Sequence, residues 1–223
     1  MLFLITFMVM LSSLIDYENY VTKTAYNVDY KMGNLYENKS LIDTIMLNKS
    51  NIELVKSNRL YEIESKLNNI QSIKEANIFR DLNFNLSIEI IERQPLAYYE
   101  KLDSYIDLSG VIVKRNKKLD DTLPKIYGNV SKNNIRLLVD VIKAFNKDDF
   151  FNRELNKMWF DKDELFLNLN SFLFDIRFGD NNKLKNKIQM LKGFCLYNIE
   201  NKRDKIYKQI DLVYENQLLA IKK

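Results

Sequence analysis

The run Phe84-Asn85-Leu86-Ser87-Ile88-Glu89-Ile90-Ile91-Glu92-Arg93-Gln94-Pro95 constrains the fold more than any other stretch of the chain. Phe84, Leu86, Ile88 and Ile90 fall on one side of an extended segment. Asn85, Ser87 and Glu89 fall on the other. That alternation is the period of a strand buried on one face. The strand is expected to stop at Pro95, which has no N–H to give to a ladder. Upstream, Leu60, Ile63, Leu67 and Ile70 recur at helical spacing, with Ser57 or Asn58 as candidate N-cap. A one-sided strand needs a cover, and an amphipathic helix supplies it. The pair reads as a small α+β module displayed for binding, not as a catalytic centre.

The neighbouring segments extend this unit. Thr24 to Tyr30 reads as a short strand, Gly33-Asn34 as a turn, and Leu41 to Leu47 as a short helix. Ile73 to Phe79 reads as a strand, and Asp81-Leu82-Asn83 as the turn into the opening strand. The expected order is β-α-α-β-β over residues 24–96, with a boundary near residues 95 to 100.

Beyond it, Leu96 to Tyr99 and Tyr105 to Asp107 read as short strands, with Ser109-Gly110 as a turn and Asn116 to Asp121 as a charged loop. Ile135, Leu138, Val139, Ile142 and Phe145 form a helical stripe after Ser131 as cap. Leu165, Leu167 and Leu169 alternate with Phe166, Asn168 and Asn170. Phe172, Phe174, Ile176 and Phe178 alternate in the same way. After Gly179-Asp180-Asn181-Asn182 a second helix carries Leu184, Ile188, Leu191 and Cys195 on one face. Strands follow near Ile206 to Tyr214 and Gln217 to Ile221. Residues 97–223 are thus expected to form a β-rich domain with two helices, and the whole chain an α+β protein.

Residues 1–15 carry no charge; the first is Asp16. A spanning helix needs about 20 apolar residues, so this segment is short for the task. An uncleaved single-pass membrane anchor is the leading reading. A cleaved signal is second, because the basic leading region and small-residue cleavage site are not convincing. A buried or mis-started N-terminus is third. Either of the first two puts the rest of the chain outside the cytoplasm.

Composition narrows the chemistry. A net charge of +4 without a basic cluster interleaved with aromatics argues against nucleic acid. There is no histidine, which removes the commonest general base and metal ligand together. Cys195 is the only cysteine, so neither an internal disulfide nor a cysteine zinc site can form. Its place on an apolar stripe reads as a buried small hydrophobe rather than a nucleophile. Asp161, Asp163 and Glu164 read as a solvated hairpin tip, since a calcium loop needs more oxygen ligands. Asp120-Asp121 reads the same way. Glu89 and Glu92 lie on opposite sides of their strand, so they are no glycosidase pair. No phosphate-cradling glycine loop is present. These points argue against a hydrolase and predict no enzyme activity, no cofactor, no metal and no small-molecule substrate.

The last strands are the candidate binding element. Ile210, Leu212 and Tyr214 share one face of an extended segment, and Leu218 and Leu219 begin the next. The ordinary reading is a terminal strand protected by charge, here by Lys222-Lys223. The functional reading is an open edge that accepts a partner strand.

Several passages resemble the cell-division FtsQ (DivIB) family. Leu60-Tyr61-Glu62-Ile63-Glu64 followed by Ile73-Lys74-Glu75-Ala76-Asn77-Ile78 resembles the helix-to-strand passage of its POTRA domain. Glu92-Arg93-Gln94-Pro95 with Ala97 resembles "E-R-x-P-x-A", and Ile106-Asp107-Leu108-Ser109-Gly110 resembles "I-D-x-x-G". Leu123-Pro124 with Gly128 resembles "L-P-x-x-x-G". Ile176-Arg177-Phe178-Gly179 and Ile210-Asp211-Leu212-Val213-Tyr214 resemble the closing blocks. The Gly-Asp helix start is most similar to versions from the Bacteroidetes side of bacteria. The resemblance covers about residues 25 to 221. It implies a single-pass inner-membrane protein with a POTRA domain and a β domain in the periplasm, working as a non-enzymatic scaffold of the divisome. It implies partners of the FtsB and FtsL coiled-coil types. It also implies pairing of the last strand with the FtsB-type partner, through Ile210, Leu212, Tyr214, Leu218 and Leu219. Two departures stand out. The basic tail that usually precedes the anchor is absent, and Val213 stands where an Arg often precedes the final Tyr. The alternative is a POTRA-containing component of protein transport or outer-membrane assembly.

Overall fold

A computed structural model describes residues 26–32, 39–46, 48, 53–55, 57, 59–80, 86–114, 123–201 and 206–223. The expected anchor at 1–15, the turn at 81–83, Phe84 and the loop 116–121 lie outside them. No helix among the described residues is long and apolar enough to cross a membrane. Internal contacts divide the chain between Arg93 and Gln94, slightly ahead of the interval expected from sequence.

The described elements of the first unit run β-α-α-β-β: β1 (Tyr26–Met32), α1 (Lys39–Met46), α2 (Leu60–Asn68), β2 (Ile73–Arg80) and β3 (Leu86–Glu92). β3 is the central strand, parallel to β1 and antiparallel to β2. Its period-two pattern has the expected consequence: Leu86, Ile88 and Ile90 are buried and their neighbours are half-buried. They meet Ile42 and Met46 of α1 and Ile63 and Leu67 of α2. Burial of each such side chain contributes about 1.5–3 kcal/mol.

One local expectation fails. α2 starts after Arg59, which makes no side-chain cap, while Ser57 turns its hydroxyl back to the Glu53 and Leu54 carbonyls. The Arg59–Glu62 ion pair occupies the first turn instead. β3 ends before Pro95 as expected, and Pro95 opens the next strand, opposite Asp107, at a first position where its missing N–H is tolerated.

The second unit holds β4 (Pro95–Tyr99), β5 (Ser104–Asp107), β6 (Ile112–Lys114), β7 (Lys125–Tyr127), α3 (Lys132–Lys147), β8 (Leu155–Asp161), β9 (Glu164–Leu169), β10 (Asp175–Gly179), α4 (Leu184–Asn201), β11 (Tyr207–Asp211) and β12 (Leu219–Lys222). The nine strands form one sheet in the order β12-β11-β10-β9-β8-β7-β4-β5-β6. The cross-strand row Ile126, Met158, Leu167, Ile176 and Ile210 is fully buried. It shares one core with Leu138, Val141, Ile142 and Phe145 of α3 and with Ile188, Leu191 and Cys195 of α4. The Ser131 hydroxyl caps α3, accepting from the Asn134 N–H at 3.2 Å. Rings tie the layers together: Phe145 to Phe178 at 6.1 Å, Phe174 to Phe194 at 5.7 Å, and Phe194 to Tyr207 at 5.2 Å. β6, β7 and β8 were not individually legible. β6 and β7 have three residues each, and β8 carries a bulge between Leu155 and Lys157 that breaks its alternation.

Candidate functional site

β12 is one of the two edge strands of the nine-stranded sheet, the other being the three-residue β6, and an edge strand can take a ligand by backbone geometry alone. It pairs antiparallel with β11 on one side only, with Ile210 opposite Ala220 and Asp211 opposite Leu219. The Lys223 N–H donates to the Ile206 carbonyl at 3.0 Å. Backbone polar groups alternate sides along a strand, so Leu219, Ile221 and Lys223 turn toward β11. The N–H and C=O groups of Ala220 and Lys222 face away, as a ladder with no partner strand among the described residues. Leu219, Ile221, Lys222 and Lys223 are exposed, and Ala220 is half-buried against the core.

The neighbouring strand holds this edge in place. Ile210 and Leu212 are fully buried, and the Leu212 N–H donates to the Arg177 carbonyl at 2.9 Å. On the opposite face of the sheet a polar chain crosses three strands. Arg177 grips Glu164 with two hydrogen bonds of 2.6 and 2.8 Å, reaches Asp211 at 3.6 Å, and Asp211 accepts from the Gln209 amide at 2.6 Å. The hydrogen bond from Arg177 holds the Glu164 carboxyl below its ordinary range, against the opposing effect of burial.

A glycine decides where the chain leaves the core. Gly179 has φ +76°, and a Cβ there would lie 2.9 Å from Val213 Cγ1. The bare Gly179 backbone leaves room for the Val213 side chain to pack against it. Tyr214 then projects outward, 46% exposed. A polar cleft of about 450 Å³ lies beside it, lined by Asp180, Lys183, Lys187, Met190, Tyr214 and Asn216. Lys183 pairs with Glu215 across it. The buried Lys187 ammonium is fully engaged, donating to the Phe178 carbonyl and to the carbonyl and carboxylate of Asp180. Lys187 holds the Asp180 carboxyl below its usual value. Burial pushes the Cys195 thiol up to about 12, so it is an inert core residue, as its stripe position suggested.

The five residues picked from sequence therefore separate. Ile210 and Leu212 are core, because β11 is an inner strand and their side chains serve the helix-covered face. They cannot meet a partner directly. Leu218 is half-buried and packs on the core. Tyr214 and Leu219 are exposed. Sequence reasoning missed Ala220 and Lys222, whose backbones form the open ladder; the period-two rule applied to Leu219–Lys222 was the available signal.

The first unit offers an instructive contrast at β2. The Ala76 N–H donates to the Asn68 side-chain oxygen at 2.8 Å, and the Asn68 amide donates back to the Ala76 carbonyl at 3.0 Å. The Ile78 N–H donates to Glu64 at 3.0 Å. Two side chains of α2 thus stand where a neighbouring strand would pair.

No curated protein matches the chain. Residues 95–221, more than half of it, match the family described as FtsQ/DivIB, C-terminal related. That span begins with β4 and ends within β12, so it contains the nine-stranded sheet except for Lys222, the last residue of β12. The chain belongs to the FtsQ/DivIB family, whose members act in cell division.

Proposed function

We propose that this protein is a non-enzymatic scaffold of the bacterial divisome that binds other division proteins by strand addition at β12. The observation that carries the reading is the row of outward backbone groups at Ala220 and Lys222, left unpaired beside a rigidly held β11. Partners of the FtsB and FtsL coiled-coil types fit it, with Tyr214 and Leu219 as the exposed side chains flanking the ladder. The β-α-α-β-β unit serves as the POTRA module of this scaffold. The protein sits in the inner membrane through residues 1–15, with the two units in the periplasm. Family membership over residues 95–221 supports this reading over the transport alternative.

The test is co-purification of the full chain with its FtsB-type and FtsL-type candidates. Ala220→Pro removes one outward donor at an edge position that tolerates proline. It is expected to abolish capture while far-ultraviolet circular dichroism stays as in the parent. Undiminished capture by Ala220→Pro would defeat strand addition at β12.

A further inference from the structure

The edge formed by β12 is electrically lopsided. Lys208, Lys222 and Lys223 all lie at its far end: Tyr207 is opposite Lys222 in the ladder, and the Lys223 N–H donates to the Ile206 carbonyl. All three lysines are exposed, and none has an acidic partner among the described residues. The bulge in β11 between Tyr207 and Gln209 places Lys208 at that same end. The near end is different. Asp211 is bound to Arg177 and Gln209, Glu215 is bound to Lys183, and the exposed surface is Tyr214 and Leu219. Like charges at one end of neighbouring strands add no stability to the sheet.

We infer that β12 selects a partner strand with apolar residues beside Leu219 and Ile221 and acidic residues at the end that passes Lys208, Lys222 and Lys223. This rests on the strand-addition reading and adds the partner's chemistry and polarity. The backbone ladder is indifferent to sequence, and the three lysines supply the discrimination. A strand with basic residues at that end is disfavoured.

Two synthetic peptides test it against the full chain. Both share a core of alternating valine and threonine. One ends in two glutamates and the other in two lysines. The glutamate peptide is expected to bind about threefold to tenfold more tightly at low salt, with the difference shrinking as salt rises. The double variant Lys222→Glu, Lys223→Glu is expected to reverse the order. Equal affinities, or an order unchanged by the double variant, overturn the inference. Ala220→Pro separates the two levels. If it abolishes binding of both peptides while the parent shows no charge preference, strand addition stands and the selectivity falls. If the glutamate peptide binds Ala220→Pro as it binds the parent, the attraction does not act through the strand edge, and both fall.

Discussion

Leu212 and Tyr214 are two residues apart and have opposite fates. In a regular strand they would share a face, and that expectation made them a joint candidate for partner contact. β11 ends at Asp211, however, and the chain turns where Val213 closes on Gly179. Leu212 is sealed in the core and Tyr214 emerges. Nothing in the local pattern Ile210-Asp211-Leu212-Val213-Tyr214 reveals this, because the deciding contact lies 34 residues upstream. Substituting Leu212 would therefore damage the fold instead of reporting on binding. Gly179→Ala isolates the contact. It puts a side chain at positive φ and against Val213, and is expected to destabilise the second unit by about 1–3 kcal/mol. Trp159, the only tryptophan, lies in that unit, so its fluorescence during urea unfolding follows the right transition. An unchanged midpoint would mean that Val213 is not held by this approach.

At the level of elements, alternation and helical spacing were legible wherever the pattern was regular. β3, β9, β10, α3 and α4 follow from period alone, as does the burial of Cys195. β8 escaped because its bulge shifts the inward side from Leu155 to Met158. The closed edge of β2 escaped for another reason. Asn68 ends an amphipathic helix and looks like an ordinary polar residue, yet its amide satisfies both backbone groups of Ala76. Only the distance between helix and strand makes it a strand substitute. Asn68→Ala is expected to speed hydrogen exchange of the Ala76 amide by about tenfold or more, the equivalent of one hydrogen bond of about 1.4 kcal/mol. An unaltered exchange rate would show that Asn68 does not protect that edge.

At the scale of the whole molecule, the two units manage their sheet edges differently. β2 is occupied by α2 side chains, whereas β12 presents an unpaired ladder ending in lysines. Sequence pointed to the last two strands together, and the structure divides their residues between an inner strand and an edge strand. Strand order is a long-range property, and β11 and β12 look equally terminal until their pairing is known. The claim that β12 accepts a strand is tested most directly by amide hydrogen exchange of the full chain with and without its FtsB-type partner. The account predicts that the outward amides of Ala220 and Lys222 become protected on binding, while those of Ile221 and Lys223, already turned to β11, change little. Amides of Ala220 and Lys222 that exchange at the same rate in the complex as in the free protein would contradict it.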